Sequence, residues 1–325
     1  MKELIIKKNE AGQRFDKYLV KYLNKAGSGF IYKMLRKKNI VLNDKKATGN
    51  EKLVIGDNVK LYLADETIDK FVEKVTYKNN TSSNAQTKLS VIYEDDNILL
   101  VDKPYNVLSQ KSKPSDISIN EMAIDYLLKE GSITADELNT FKPSVCNRLD
   151  RNTTGLIAIG KSLLGSQYLS FVFKARSISK YYLALVLGVV NKSKEIEGYL
   201  YKDEVTNKVT IKNTNIDNKG EYIKTAYKPI KTINNMTLLE VKLITGKTHQ
   251  IRAHLATINH PIIGDMKYGD KSANQMALSK YKVRYQLLHS YRLEFPKNIE
   301  GTMKYLEDKK FIAPLPKYWP ITMED

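Results

Sequence analysis

Asp150 stands between Arg148 and Arg151 in VCNRLDRNTTGLIAIGKS (residues 145–162), just ahead of the apolar run Leu156 to Ile159. Alternation along an extended segment puts Arg148 and Asp150 on one side and Leu149 on the other. A carboxylate fixed at the start of a strand is rigid and still open. It is therefore either a catalytic acid group or one half of a structural Asp–Arg pair. A second stretch, GKTHQIRAHLATINHPIIGDMKYG (residues 246–269), supplies a cation. At helical period Ile251, Leu255 and Ile258 form an apolar row, and Arg252 projects from another face. Arg252 is then a fixed cation for an anion, with the Asp150 carboxylate among the candidates, or an ordinary surface arginine. In a third stretch, SKYYLALVLG, strand alternation gives Lys180, Tyr182, Ala184 and Val186 one face and Tyr181, Leu183 and Leu185 the other. A tyrosine there is a core residue or a platform for a nucleobase, a stacking contact of about 1–3 kcal/mol. His249, His254 and His260 are spaced by five and six residues, which misses the i, i+4 pair a helix offers zinc. With no cysteine or acidic cluster to complete a site, structural histidines and no metal are expected.

The elements that must hold these residues are legible in the pattern. Gly155 permits a turn into the core strand LIAI, and LSVIYEDDNILLVDKP reads as a hairpin closing on Pro104. SINEMAIDYLLKEG opens on a capping box, Ser118 with Glu121, and ends at Gly131, so a helix is expected. SLLGSQYLSFVFKA reads as another. TAYKPIKTINNMTLLEVKLITG predicts a hairpin turning at Asn234-Asn235, followed by a helix through THQIRAHLATI. Strands and helices mix without regular βαβ alternation. The expected class is α+β, with a mixed, largely antiparallel central sheet and flanking helices.

The N-terminal part carries a different signal. Between Arg14 and Lys46 ten basic residues face two acids, a net +8 within 33 residues. Phe15, Leu19, Tyr22 and Leu23 recur at helical period while Lys17, Lys21 and Lys25 step by four along another face. A second short helix buries Ile31, Met34 and Leu35 and turns Lys33, Arg36 and Lys37 outward, next to Lys38. NIVLNDKKATGNEKLVIGDNVKLYL follows as short strands broken by Asn-Asp and Gly-Asp turns. Such a unit is an RNA-binding module or a small domain with a solvated lysine face. TYKNNTSSNAQTK is polar and aperiodic, which divides the chain into an N-terminal unit at 1–75, a linker at 76–88 and a larger domain at 89–325.

Composition sets the outer bounds. The chain has 325 residues, 42% of them hydrophobic, and 53 Lys and Arg against 36 Asp and Glu give a formal charge of +17. That length fits two units with real cores, and that charge favours a polyanionic partner. The single cysteine, Cys146, excludes an internal disulfide and points to a reducing compartment. MKELIIKKNE lacks the apolar stretch of a secretion signal, and no apolar run is long enough to cross a bilayer, so a cytoplasmic protein is expected.

Two resemblances join these observations. RFDKYL, IYKMLRKKNIVLN and VIGDNVKLYL, in residues 12 to 63, resemble the S4-like RNA-binding domain, which implies contact with structured RNA. NRLDRNTTGLIAIGKS, KYYLALVLG and the 246–269 motif, in that order behind such a domain and ahead of RYQLLHSYRLEFP, resemble the RluA family of RNA pseudouridine synthases over nearly the whole chain. The resemblance implies cofactor-free isomerisation of uridine to pseudouridine, by breaking the ribose bond to N1 and remaking it to C5. It places the catalytic aspartate at Asp150 and the active-site tyrosine at Tyr182, because Lys180 and Ala184 set the frame. It makes Arg252 the ion-pair partner that holds the aspartate charged, and gives Arg148 to RNA near the target nucleotide. Asn147 departs from the histidine usual before RLD. The substrate it implies is structured RNA, most commonly the large-subunit ribosomal RNA of families with S4-like domains, with transfer RNA as an alternative. Lys17, Lys21, Lys33, Arg36, Lys37 and Lys38 are the RNA-binding candidates of the N-terminal unit. Two other classes compete: a non-catalytic RNA-binding or ribosome-assembly factor, and a DNA- or lipid-binding protein that would account only for the charge.

Overall fold

The structure, a computed structural model, describes residues 1–73 and 88–321. The polar stretch expected as a linker, 76–88, lies outside the described residues except for Lys88.

Both N-terminal helices form where the periodicity puts them, at Phe15–Tyr22 and Ser28–Arg36. Phe15, Leu19, Ile31 and Leu35 are almost wholly buried, each worth about 1.5–3 kcal/mol in removed apolar surface. They pack on an antiparallel sheet ordered Lys2–Ile5, Asn58–Leu61, Ile40–Leu42, Lys45–Lys46. Asn43 and Asp44, both at positive φ, make the two-residue turn between the last two strands.

The rest is organised on one 11-stranded sheet. Its main path runs Lys208–Lys212, Lys194–Asp203, Glu221–Ile233, Met236–Leu243, Ser179–Leu187, Leu288–Glu294, Thr154–Gly160, Ile98–Lys103, Ser90–Glu94. The short strands Lys310–Ile312 and Ser144–Val145 pair alongside. One junction is parallel, His289 opposite Thr154 and Ser290 opposite Gly155, and the other pairings are antiparallel. The expected mixed, largely antiparallel sheet is therefore the observed one. Asn234 and Asn235, at φ 50° and 59°, turn the predicted hairpin, whose first strand reaches back to Glu221.

Helices cover both faces, which is why strands such as Thr154–Gly160 are buried along their whole length. Tyr182, Ala184 and Val186 face one core with the helices Ile119–Lys129 and Gln250–Thr257, while Leu183 and Leu185 face another with the helix Lys271–Tyr281. The helix Leu163–Lys174 covers a third cluster through Leu169 and Val172. Two local expectations are revised. Ser118 is the N-cap of its helix, but its hydroxyl donates to the Glu121 carboxylate instead of accepting from a backbone N–H. The helix expected from Thr248 begins at Gln250, because His249 adopts φ 53° and redirects the chain.

Gly155 is fixed by the parallel junction. It sits at φ +104°, and a Cβ there would lie 2.2 Å from the Ser290 carbonyl oxygen. Only a residue without a side chain lets these two strands meet.

Candidate active site

Asp150 occupies the loop that feeds this junction, and the loop is held from three sides. Ser109 Oγ donates to Leu149 O and accepts from Leu149 N, both at 2.9 Å. The side chain of Asn147 accepts from Ala158 N at 2.7 Å and donates to Leu156 O at 3.2 Å, so it pairs with the strand as a backbone would. The asparagine that departs from the RluA pattern thus has a structural task of its own. Lys103, fully buried, donates to Pro104 O, Val107 O and Arg151 O at 2.7–2.9 Å. Burial pulls its pKa down to about 7, against the opposing pull of Asp150 and Asp102. Three carbonyls take the three N–H bonds of an ammonium, so the charged form is the one that fits.

Arg252 reaches the same loop from the helix Gln250–Thr257. Its Nη1 donates to Asp150 Oδ2 at 2.7 Å. Its Nε and Nη2 donate to Asp265 at 2.7 and 2.9 Å, a two-pronged grip on a carboxylate with no exposed surface. Burial opposes the Asp265 charge, but Arg252 and the backbone N–H groups of Lys267 and Tyr268 outweigh it and hold the carboxyl below its ordinary range. The Tyr268 ring lies 5.2 Å from the guanidinium carbon.

Tyr182 is 6% exposed on the strand Ser179–Leu187. Burial pushes its hydroxyl up to about 12, Ser290 opposes and Asp150 reinforces the shift. It is a neutral phenol near neutral pH, able to pack and to hydrogen-bond. Tyr181 belongs to the opposite face, under the Arg292 guanidinium at 4.1 Å. His249 Nδ1 meets the Tyr268 hydroxyl at 3.0 Å, and its Nε2 is 3.8 Å from Asp150 Oδ2, too long for a hydrogen bond. Burial lowers its pKa, so it stays neutral beside the carboxylate. His254 and His260 bond to Thr225 Oγ1 and to the Leu187 carbonyl, away from any shared centre. Among the described residues no group of His, Cys, Asp and Glu is placed to hold a metal ion.

Asp150, Tyr182, Arg252 and Arg148 all line one open cavity of about 330 Å³. Lys17, Lys21, Lys33, Arg36, Lys37 and Lys38 do not; they are exposed on the N-terminal unit, where Lys21 donates to Gln13 Oε1 at 2.6 Å. Three residues of the site escaped the reading of the sequence: Asp265, Lys103 and Ser109. Asp265 had a signal, a lone acid between Gly264 and Met266 in the motif that carries Arg252. Lys103 had one as well, a lysine closing a run of four apolar residues and one acid. The cavity offers one carboxylate backed by a buried guanidinium, a neutral phenol beside it, and apolar walls such as Leu288. A charged carboxylate on the wall of an open cavity can act chemically as a nucleophile or as a base.

The family described as RNA pseudouridylate synthase matches residues 97–257, which include Asp150, Tyr182 and Arg252. An uncharacterized RNA pseudouridine synthase of Mycoplasma capricolum is 31% identical over 316 residues, 96% of this chain and 97% of the relative. The ribosomal large subunit pseudouridine synthase C of Rickettsia bellii is 32% identical over 317 residues, covering 94% and 95%. Human RNA pseudouridylate synthase domain containing 4 shares the fold, with a TM-score of 0.55 at 19% identity over 70% of this chain and 89% of its own. Among the described residues no helix is long and apolar enough to cross a membrane. A match that runs the length of both chains leaves one assignment: this chain belongs to the RNA pseudouridine synthases, in the RluA family its motifs resemble.

Proposed function

We propose that this synthase isomerises uridines of large-subunit ribosomal RNA, with Asp150 as the catalytic carboxylate. The observation that carries the proposal is the Arg252–Asp150 contact at 2.7 Å on the wall of an open cavity. The choice of RNA is supported by relatives in Rickettsia bellii and Vibrio parahaemolyticus named as large-subunit synthases, 32% and 30% identical over most of this chain. Turning a uracil about its glycosidic bond requires the base to leave its stack, at a cost of a few kcal/mol. A cavity of about 330 Å³ is roomy enough to receive it. Asp150 then attacks the ribose anomeric carbon or removes the neighbouring C2′ proton, the bond from C1′ to N1 breaks, and the uracil turns and bonds to C1′ through C5, releasing the carboxylate or returning the C2′ proton; C5 then gives up its proton and N1 takes one. Tyr182 packs beside the loose base and, as a phenol near pKa 12, serves as a hydrogen-bonding wall more than as a tyrosinate base. Arg252 supplies the counter-charge, and Arg148, exposed at the rim, contacts the RNA.

The N-terminal unit is read as an S4-like grip on structured RNA. Lys17, Lys33, Arg36, Lys37 and Lys38 are exposed there without an acid partner among the described residues, as a phosphate-binding face requires. The test is site-resolved pseudouridine mapping of ribosomal and transfer RNA from strains carrying the wild type, Asp150→Asn or no enzyme. A ribosomal site lost in the last two supports the proposal. Loss confined to transfer RNA reassigns the substrate, and a full set of sites with Asp150→Asn ends the catalytic role of Asp150.

A further inference from the structure

Four cations border the cavity apart from Arg252, and three of them have no acid. Lys247 pairs with Glu221. Arg148, Arg176 and Lys180 also line the cavity, and among the described residues none of them meets a carboxylate. Lys180 is the informative one. It is half-buried on the strand Ser179–Leu187, and its ammonium lies beside Gly246, where an added Cβ would come within 3.3 Å of Nζ. Burial and the neighbouring Arg176 both lower its pKa. A desolvated cation next to a second cation is a cost the fold bears with no internal return. Arg176 is also held at a cost, at φ +57° just past the helix Leu163–Lys174, where glycine is the residue that fits freely.

From these observations the geometry points to an anion site made by Lys180 and Arg176, which takes a backbone phosphodiester of the substrate RNA next to the uridine in the cavity. This rests on the reading above, that the uridine enters beside Asp150. Lys180 offers a point charge at the inner wall and Arg176 a planar fork at the rim, a pairing suited to the non-bridging oxygens of one phosphate. A phosphate gripped there fixes the nucleotide by its chain, so a uracil that has detached from its ribose can turn while the sugar stays registered with Asp150. The unpaired charges are thus paired only in the complex.

The test uses the full-length protein with Lys180→Met, Arg176→Met, the double variant and Asp150→Asn. The binding probe is a fluorescein-labelled oligouridylate titrated over a salt series, and the activity substrate is ribosomal RNA from a strain without the enzyme. The double variant is expected to flatten the slope of log K against log salt by about 0.7, one phosphate contact on a single strand, and each single Met variant by part of that. KM rises about tenfold and kcat falls less, as for loss of one charge-assisted contact. Lys180→Met also melts a few degrees higher than wild type, because a charge kept for the ligand is removed, whereas a merely structural lysine would leave a less stable protein. Asp150→Asn binds with the wild-type slope and does not isomerise. An unchanged slope and KM in the double variant overturn the phosphate site while leaving Asp150 in its role. Full activity of Asp150→Asn sinks the catalytic reading instead, and the salt slopes still decide the anion site. Inorganic phosphate is the last arm: protection of the wild type against thermal unfolding, without any slope change in the variants, would mean a free-anion site and reject the phosphodiester.

Discussion

Asp265 takes two hydrogen bonds from Arg252, and so leaves that guanidinium a single outward direction, Nη1, in which to meet Asp150. The position of the cation is set from behind by a carboxylate that itself never touches the cavity. Replacing Asp265 by Asn keeps the shape and removes the charge. The expected outcome is a loss of about 3–5 kcal/mol, the penalty for a buried charge whose partner is removed. Thermal melting reads that loss, and kcat on ribosomal RNA should fall at least tenfold while oligouridylate binding is kept. Unchanged stability would show that Asp150 alone satisfies Arg252.

Lys103 holds the Asp150 loop through the carbonyl of Arg151, the next residue. Lys103→Met fills the same space and leaves three carbonyl groups that face the buried ammonium without their donor, at up to about 1–3 kcal/mol each before water or a shift of the loop relieves it. Single-turnover rates should fall on the order of 10- to 100-fold with little change in RNA affinity, since a misplaced reacting group costs rate before binding. A variant with full single-turnover rate would free Lys103 from any positioning role.

Gly155→Ala tests the parallel junction. The left-handed φ costs about 1–2 kcal/mol, and the contact with the Ser290 carbonyl forces the strands apart on top of it. We expect a loss of at least ~3 kcal/mol by denaturant titration. Tyr182, whose backbone pairs with Ser290, should lose its protection from solvent, which a red-edge tyrosine spectrum would register.

His289 makes the acid side of the stability curve predictable. Burial drives its pKa down to about 4, and the Ala313 carbonyl opposes this only weakly. Nε2 donates to Ala313 O at 3.3 Å, so Nδ1 accepts from Thr154 Oγ1 at 2.7 Å, the arrangement of a neutral ring. Between pH 6.5 and 4 the unfolded chain takes up a proton that the folded chain refuses. Stability therefore falls as pH drops through that window, by on the order of 3 kcal/mol from this residue. His254, also buried and lowered to about 4, adds to the same slope. In His289→Asn the melting temperature should depend less on pH across this range, and an equal slope in variant and wild type would assign the acid loss elsewhere.

What the sequence made legible was local. Asn43-Asp44 and Asn234-Asn235 announce their turns because positive φ is written in the residue type. The faces of Ser179–Leu187 follow from strand alternation, and the start of Thr154–Gly160 from Gly155 and four apolar residues. What depends on distant segments meeting was not legible from pattern. No periodicity reveals that Leu288–Glu294 runs parallel to Thr154–Gly160, since each buried strand reads the same whatever its neighbour's direction. Asp265 and Lys103 were missed for a related reason: both serve the site from buried positions that sequence assigns to a turn and to a strand end. The His249 bend also went unseen, because a left-handed histidine has no signature in composition.

The separation of the partners has a consequence in time. Arg252 meets Asp150 across 102 residues, and His289 meets Thr154 across 135. During synthesis the carboxylate is therefore made long before its counter-charge, and the strand that closes the junction comes near the end of the chain. The N-terminal sheet pairs Lys2 with Leu61 and closes on far shorter loops. Low-separation contacts form first and distant ones last, so the basic unit is complete while the Arg252–Asp150 contact is still to be made. A nascent or truncated chain that stops short of Leu288 therefore carries its basic face without the strand that closes the junction beside the Asp150 loop.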